Sequence, residues 1–244
     1  MREILKVTNL CKESILKNIS FSVKEGEMVA IMGPSGSGKS SLLYIVSGMS
    51  DASSGEVWLR DQEIVALSQD EKAKLRLEKI GFVFQQMNVL ANLSILDNIV
   101  LPAYQLNKQK KSKMKKEELI RQGKALMKKL GIEEIADRQT NQVSGGQLQR
   151  ACICRSVINQ PEILFADEPT GALNQTAAAE VMKAFSQLNE DGTTILMVTH
   201  DARVAAKCHR IIYILDGELK GELELNGVQD KETMVAEWLR KMGW

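Results

Sequence analysis

One eight-residue segment, residues 33–40, constrains the fold of this chain more than any other part of the sequence. It fits the pattern of a glycine, four variable residues, Gly-Lys, and then Ser or Thr. The apolar run Met28–Met32 before it predicts a buried strand, and residues 41–46 after it predict a helix. Strand, glycine loop and helix in this order are typical of a phosphate-binding unit in an α/β fold. The segment consists of Gly33, Pro34, Ser35, Gly36, Ser37, Gly38, Lys39 and Ser40.

The chemistry of this loop favours a nucleoside triphosphate with Mg²⁺. Glycines let the backbone wrap closely around phosphate oxygens, and successive N–H groups and the helix N-terminus present positive ends to the anion. Lys39 can reach the β- and γ-phosphates, and the Ser40 hydroxyl can coordinate the metal ion.

Two further apolar runs are followed by polar residues of the kind that hydrolysis requires. Residues 163–166 predict a buried strand that ends at Asp167 and Glu168, and residues 193–199 predict another that ends at His200. The carboxyl ends of parallel strands meet at the ligand edge of a sheet. Asp167 is therefore a candidate Mg²⁺ ligand through water, and Glu168 a candidate general base. The alternative is a surface acidic pair and a structural histidine.

The remaining patterns predict a helical middle and an α/β end. Residues 93–130 are mostly helical, residues 177–188 and 232–244 are helical, and residues 211–219 form a hairpin. The middle also carries a basic stretch. We interpret it as a solvated face rather than a lipid or nucleic-acid contact, because aromatic residues are not interleaved and the net charge is only +1. Its lysines are Lys108, Lys110, Lys111, Lys113, Lys115 and Lys116.

Composition excludes several classes of protein. No run of about 18 apolar residues is present to span a bilayer, and no secretory signal is recognised, so we expect the chain to remain in the cytoplasm. Four scattered cysteines do not make a disulfide framework. Cys152 and Cys154 point to different faces of a predicted helix, so neutral, buried thiols are favoured over a metal site that would include Cys208 and His209.

Residues 143–150 contain a second candidate anion site. Ser144 followed by two glycines opens a predicted helix, whose N-terminus attracts negative charge. Here the chain resembles the ATP-binding-cassette (ABC) family, whose signature is L-S-G-G-Q followed by x-[QR]-R. A helix cap without a ligand remains the alternative. The matching residues are Val143, Ser144, Gly145, Gly146, Gln147, Leu148, Gln149 and Arg150.

The resemblance covers nearly the whole chain, and it implies the fold. It implies an α/β P-loop NTPase core of the RecA-like type, with an N-terminal antiparallel β subdomain and an inserted α-helical subdomain. One domain, residues 1–244, would contain the core with its β subdomain in residues 1–86 and 160–244. The helical signature subdomain would be residues 87–159.

The resemblance also implies roles for single residues. Gln85, after Gly81-Phe82-Val83-Phe84, resembles the Q-loop glutamine that contacts Mg²⁺ and the attacking water. His200 resembles the switch histidine that contacts the γ-phosphate. The implied catalytic residues are thus Glu168, His200 and Gln85, and the implied metal ligands are Ser40, Gln85 and Asp167. The implied ATP-binding residues are Gly33, Pro34, Ser35, Gly36, Ser37, Gly38, Lys39, Ser40 and Ser41 of one chain, with Ser144, Gly145, Gly146 and Gln147 of a second.

Two positions depart from the family pattern. Ser14 stands where the family usually has an aromatic residue that stacks on adenine, and loss of such a partner costs about 1–3 kcal/mol if nothing replaces it. Asn174 ends the D-loop segment that begins at Gly171, where aspartate is usual, so a charge is removed from the expected interface between two chains.

The resemblance implies an ATPase that drives a separate membrane permease, with ATP and Mg²⁺ as cofactors and no nucleic-acid partner. Two copies would pack head to tail around ATP at the cytoplasmic face of the membrane. The subgroup resembles ATPases of macrolide and antimicrobial-peptide export, lipoprotein release and bacitracin-type resistance, which act by mechanotransmission. The alternatives are a cell-division or importer ATPase, a soluble ABC protein of translation or DNA repair, and a nucleotide-binding regulator without turnover.

Overall fold

The computed structural model describes residues 2–110 and 114–244. Its strands form two sheets, one of four antiparallel strands and one of six mostly parallel strands. The strands are β1 Glu3–Lys12, β2 Leu16–Lys24, β3 Met28–Met32, β4 Ser54–Leu59, β5 Gln62–Glu63, β6 Ile80–Val83, β7 Ile163–Asp167, β8 Thr194–Val198, β9 Arg210–Leu215 and β10 Glu218–Glu224. The helices are α1 Lys39–Val46, α2 Gln69–Lys79, α3 Ile95–Gln109, α4 Lys116–Lys129, α5 Gly145–Val157, α6 Gln175–Glu190, α7 Ala202–Ala205 and α8 Lys231–Lys241.

The four-stranded sheet has the order β2-β1-β4-β5 and is antiparallel throughout. In β2 the residues Ile19, Phe21 and Val23 are buried, and alternate positions are more exposed. This period of two places one face of the sheet on the core. The antiparallel β subdomain predicted from the sequence is therefore present.

The six-stranded sheet has the order β10-β9-β3-β8-β7-β6, and the strands from β9 to β6 are parallel. Every residue of β3, β7 and β8 is buried. Strands covered on both faces are continuously apolar, which is why the sequence alone predicted them. Because β8 pairs with both β3 and β7, the carboxyl ends of these three strands lie side by side.

Side chains of the parallel strands alternate between two cores. Met28, Ala30 and Met32 join the core that contains the helices α3 to α6, whereas Val29 and Ile31 join the core shared with α1 and the antiparallel sheet. The central sheet is thus clamped between helices on one face and α1 with the small sheet on the other. This fixes the positions of the loops that leave its edge.

The helical middle of the chain is present as predicted. Helices α3, α4 and α5 pack together, and a Cβ placed on Gly123 of α4 would lie 2.6 Å from Val100 Cγ1 of α3. Glycine is therefore required for this close approach. Of the basic stretch, the described lysines are exposed, which agrees with a solvated surface; Lys111 and Lys113 lie outside the described residues.

The end of the chain differs in part from the sequence prediction. The predicted hairpin is β9 and β10, joined by Asp216 and Gly217. The predicted helix over residues 232–244 ends at Lys241, because Gly243 adopts φ +84°, a left-handed conformation that terminates a helix. In the described residues, no helix is both long enough and apolar enough to cross a membrane.

Candidate active site

An open cleft of about 860 Å³ lies at the carboxyl edge of the parallel sheet, where β3 ends. It brings together the glycine loop with residues from the ends of β7 and β8. Its lining residues are Ile15, Gly33, Pro34, Ser35, Gly36, Gly38, Lys39, Ser40, Ser41, Glu168, His200, Gly243 and Trp244.

The glycines of the loop are required for different reasons. A Cβ on Gly33 would overlap the carbonyl oxygen of Ile214, so the loop passes directly against β9. Gly38 has φ +98° and precedes α1, and a Cβ there would lie 2.8 Å from Leu16 Cδ2. Gly36 has φ +80° and no neighbouring atom within 4 Å of its Cβ position, so it faces open space. The loop thus packs against the protein at Gly33 and Gly38 and is open to solvent at Gly36, so its N–H groups can surround an anion.

Lys39 is the buried cation of the cleft. Its side chain is 7% exposed, and Nζ donates a hydrogen bond to the Pro34 carbonyl oxygen at 2.7 Å. Burial lowers the pKa of Lys39, while the carboxylates of Glu168 and Asp167 act in the opposite direction. A buried ammonium beside amide N–H groups favours binding of a highly charged anion.

Of residues 33–40, all of which the structure describes, Ser37 is the one that does not line the cleft. Its hydroxyl oxygen is buried, and it has no hydrogen-bond partner among the described residues. A buried hydroxyl without a partner is costly in a folded protein and is usually explained by a ligand or water. The Ser37 hydroxyl lies on the Ile214 side of Gly33, behind the loop, so its missing partner is no evidence for bound phosphate.

Ser40 and Asp167 connect the glycine loop to β7. Ser40 Oγ donates to Asp167 Oδ1 at 2.9 Å, and Asp167 is 4% exposed. Burial and then a hydrogen bond with Asp167 raise the pKa of Tyr44 to about 12. A hydroxyl and a buried carboxylate are hard oxygen donors of the type Mg²⁺ prefers, and they meet beside the phosphate cradle, so the residues fit this metal ion.

Glu168 is the meeting point of three segments. Its Oε2 accepts a hydrogen bond from Gln85 Nε2 at 3.2 Å and lies 3.3 Å from His200 Nδ1. Glu168 also has φ +43°, a left-handed conformation that is rare for a non-glycine residue. Such backbone strain is common where a side chain must be aimed for function. The three residues predicted to be catalytic are therefore neighbours in space.

The signature residues lie away from this cleft in the same chain. Ser144 Oγ caps α5 by accepting a hydrogen bond from Gln147 N at 3.2 Å, and Gln147 Oε1 accepts one from Ser144 N at 3.0 Å. None of Ser144, Gly145, Gly146 and Gln147 is among the described residues that line the cleft. The predicted helix start is confirmed, and the second candidate anion site is separate from the first.

Asn174 caps the N-terminus of α6. Its side-chain oxygen accepts a hydrogen bond from Ala177 N at 2.9 Å and caps α6. Asparagine and aspartate cap helices about equally well, so the substitution changes charge without removing the cap.

The cysteines are thiols, as predicted. Burial raises the pKa of Cys152 to about 11 and that of Cys208 to about 12. No group of three or more metal-ligating side chains of the His, Cys, Asp or Glu type occurs in residues 2–110 and 114–244. The alternative of a cysteine-histidine metal site therefore has no support in the described part of the chain.

Three cleft residues were missed by sequence reasoning: Ile15, Gly243 and Trp244. Ile15 and Trp244 are 38% and 45% exposed, and both line the cleft. Ile15 follows Ser14, which is exposed and has φ +61°. No sequence pattern links residue 244 to the glycine loop, because their proximity depends on the packing of α8.

The family is identified by comparison with known proteins. A family model described as ABC transporter matches residues 16–171. The macrolide export ATP-binding/permease protein MacB of Campylobacter jejuni is 42% identical over 230 residues, which are 93% of this chain and 35% of that protein. This chain therefore spans about a third of the length of that relative.

Two further similarities extend over most of both chains. The bacitracin export ATP-binding protein BceA of Halalkalibacterium halodurans is 39% identical over 237 residues, covering 97% of this chain and 91% of that one. The cassette MJ0796 of Methanocaldococcus jannaschii has been solved as a dimer in a post-hydrolysis state with ADP and Pi. It matches with a TM-score of 0.82 and 41% identity, over 91% of this chain and 99% of that chain.

Proposed function

This chain belongs to the ABC transporter family and is its ATP-binding, ATP-hydrolysing cassette, and we propose that it powers a separate membrane permease. The observation that carries the proposal is the position of Glu168. Its carboxylate is shared by Gln85 and His200 at the rim of a cleft built around Lys39. This arrangement supports a site in which phosphate binding and activation of water occur together.

ATP binding is assigned to the glycine loop. The amides of residues 33–40 cradle the phosphates, and Lys39 contacts the β- and γ-phosphates. Ser40, Asp167 and Gln85 would hold Mg²⁺, and the metal ion would supply neutralisation of charge on the phosphate oxygens. The existing Ser40–Asp167 contact keeps these two donors together.

Hydrolysis is assigned to Glu168, with Gln85 and His200 positioning the water. Glu168 accepts a proton from the water that attacks the γ-phosphate, and His200 contacts that phosphate. Because phosphoryl transfer needs little covalent participation by protein groups, positioning and electrostatic stabilisation provide most of the rate enhancement.

A second copy of the chain completes each site in this proposal. Ser144 and Gly145, at the start of α5, are exposed and lie outside the cleft of their own chain. A head-to-tail pair would bring the signature of one chain to the ATP of the other, and hydrolysis would open the pair. Because Asn174 stands where the family usually has aspartate, this interface would carry one negative charge fewer per chain.

The division of the chain into two parts indicates which part would contact the membrane permease. We assign residues 1–86 and 160–244 to the nucleotide-binding core and residues 87–159 to the helical signature subdomain. The segment after Gln85 would contact the permease, which places the chain at the cytoplasmic face of the membrane. The exposed side chains of Leu90 and Leu101, 47% and 42% exposed, lie in this part of the molecule.

The transported compound is proposed from the relatives. Similarity to a macrolide export protein and a bacitracin export protein favours antimicrobial-peptide or macrolide export, or resistance by mechanotransmission. In mechanotransmission, closure of the cassettes on ATP is relayed through permease helices to parts outside the membrane.

A mixing experiment tests the shared site. Lys39→Ala removes the phosphate contact, and Ser144→Arg blocks the exposed signature with a bulky cation. Each variant alone is expected to release little phosphate from ATP. In a mixture, the mixed pair retains one intact site, so activity should return to about a quarter of the wild-type rate. A mixture as inactive as its components would contradict the shared site.

A further inference from the structure

Trp244 is the one aromatic residue among the described residues that line the nucleotide cleft. We propose that its indole ring stacks on the nucleobase of ATP and replaces the aromatic residue that Ser14 does not provide. This inference rests on the proposed function, because it assumes that the cleft holds a nucleotide.

The end of α8 aims Trp244 at the cleft by backbone geometry. Gly243 adopts φ +84° and its N–H donates to the Arg240 carbonyl oxygen at 3.3 Å. The Trp244 N–H donates to the Leu239 carbonyl oxygen at 3.0 Å. These two bonds form a Schellman motif, which closes the helix and turns the chain back. Trp244 is therefore held in a defined position.

Tyr213 anchors the indole beside the glycine loop. The Tyr213 and Trp244 rings meet edge to face, with centroids 6.3 Å apart and an interplanar angle of 70°. Tyr213 is buried in β9 and is the pairing partner of Met32, the residue directly before Gly33. An aromatic pair of this geometry fixes Trp244 to the strand that neighbours the phosphate cradle.

The exposure of Trp244 indicates that it has a ligand-facing surface. Despite the contact with Tyr213, 45% of the residue is exposed, and the apolar Ile15 of the same cleft is 38% exposed. Exposed large apolar side chains inside a cleft of charged and polar groups are typical of ligand sites, where they cover the apolar part of the ligand. The planar base is the apolar part of ATP.

Position 14 is a poor site for a stacking residue in the conformation that this chain's short β1–β2 connection adopts. Its φ of +61° is a left-handed conformation that bulky side chains rarely adopt. An aromatic residue at position 14 would therefore be strained, and placing the aromatic ring at position 244 avoids this strain.

Stacking of this kind carries a consequence for specificity. Every base has a π-face, so stacking alone discriminates little between adenine and guanine. We therefore expect ATP and GTP to depend on Trp244 to a similar extent.

The test measures binding with and without a base. Affinities of the wild type, Trp244→Ala and Trp244→Phe for ATP, GTP and inorganic tripolyphosphate are measured by isothermal titration calorimetry with Mg²⁺. Trp244→Ala should weaken ATP and GTP about 5- to 150-fold and leave tripolyphosphate unchanged. Trp244→Phe, which keeps an aromatic face, should stay within about threefold of the wild type for every ligand.

The outcomes separate this inference from the proposed function. Base stacking by Trp244 would be wrong if Trp244→Ala bound ATP as tightly as the wild type, or if its affinity for tripolyphosphate also fell. Neither result would contradict the nucleotide site itself. If the wild type bound neither ATP nor tripolyphosphate, both proposals would fall. As a second measurement, ATP should quench tryptophan fluorescence in the wild type, and equal quenching in Trp244→Phe would also overturn the inference.

Discussion

Replacement of Glu168 by glutamine isolates the charge of the candidate general base from its shape. The side chain keeps its size, so its contacts with Gln85 at 3.2 Å and His200 at 3.3 Å can persist through the remaining carbonyl oxygen. What disappears is the group that accepts a proton from water. General-base catalysis contributes about 100- to 10,000-fold to a rate, which corresponds to about 2.7–5.4 kcal/mol in the activation barrier.

ATP binding should survive this change. The glycine-loop amides and Lys39 are untouched, and one of the two carboxylates near Lys39 is neutralised, so the cleft becomes less repulsive to a triphosphate. A variant that binds ATP without hydrolysing it should accumulate the closed pair of chains. We therefore expect size-exclusion chromatography with Mg²⁺ and ATP to show a dimer for Glu168→Gln.

The assay is steady-state phosphate release at saturating ATP, combined with an ATP-binding titration. Glu117→Gln is the matched control, because Glu117 is an exposed carboxylate on α4 away from the cleft, and it should hydrolyse ATP at the wild-type rate. Turnover of Glu168→Gln within a few fold of the wild type would refute the assignment of Glu168. A loss of binding that accounted for the whole loss of turnover would refute the separation of roles argued above.

Three further predictions follow from buried groups. Lys39→Ala removes a buried cation and should raise the dissociation constant for MgATP roughly 30-fold or more, measured by calorimetry. Lys124 is exposed, so Lys124→Ala is the control. Equal affinities of Lys39→Ala and the wild type for MgATP would contradict the assignment of Lys39. Glu27 accepts a hydrogen bond from Arg210 at 2.8 Å, and although burial opposes it, Arg210 holds the pKa of Glu27 below 4.5. Arg210 remains paired with Glu222 in Glu27→Gln, so this variant should lose only about 1–3 kcal/mol of unfolding free energy at pH 7, measured in urea titrations. The deficit should shrink as the pH falls from 4.5 through the lower folded pKa of Glu27, because the wild type loses the contribution there. A deficit that stays constant would contradict the ion pair. A maleimide at pH 7 should label Cys11 in the folded protein and all four thiols in denaturant, and labelling of several thiols without denaturant would contradict their burial. The protected thiols are Cys152, Cys154 and Cys208.

Continuously apolar strands were predictable from the sequence because a short apolar run followed by turn or polar residues is typical of a strand buried on both faces. The strand Met28–Met32 was predicted with the bounds that the structure has, and β7 and β8 were predicted to within a residue. Strands buried on both faces need an unbroken apolar run, and this signal is local. The capped start of α5 at Ser144 was predictable for the same reason, since capping depends on neighbouring residues.

Long-range geometry was not predictable in this way. Glu168 was proposed from its position after an apolar strand, and the roles of Gln85 and His200 came from a family resemblance. That Gln85 and His200 both lie beside the same oxygen of Glu168 is a finding of the structure. The end of α8 was misplaced because an apolar pattern continues through residues 242–244, while a single glycine stops the helix. Trp244 escaped detection because its neighbours in space, the glycine loop and Tyr213, are distant in sequence.

The order of the parallel strands determines which part of the site can shift. β3, β8 and β7 are bonded on both sides, so the glycine loop, His200 and Glu168 leave from the rigid centre of the sheet. β6 is the edge strand, and Gln85 follows it on the way to the helical segment. A push on that segment from outside would draw the Gln85 amide away from Glu168 without breaking a strand pair in the centre of the sheet. Of the two contacts of the Glu168 carboxylate described above, the one with Gln85 is therefore the contact that depends on an edge strand.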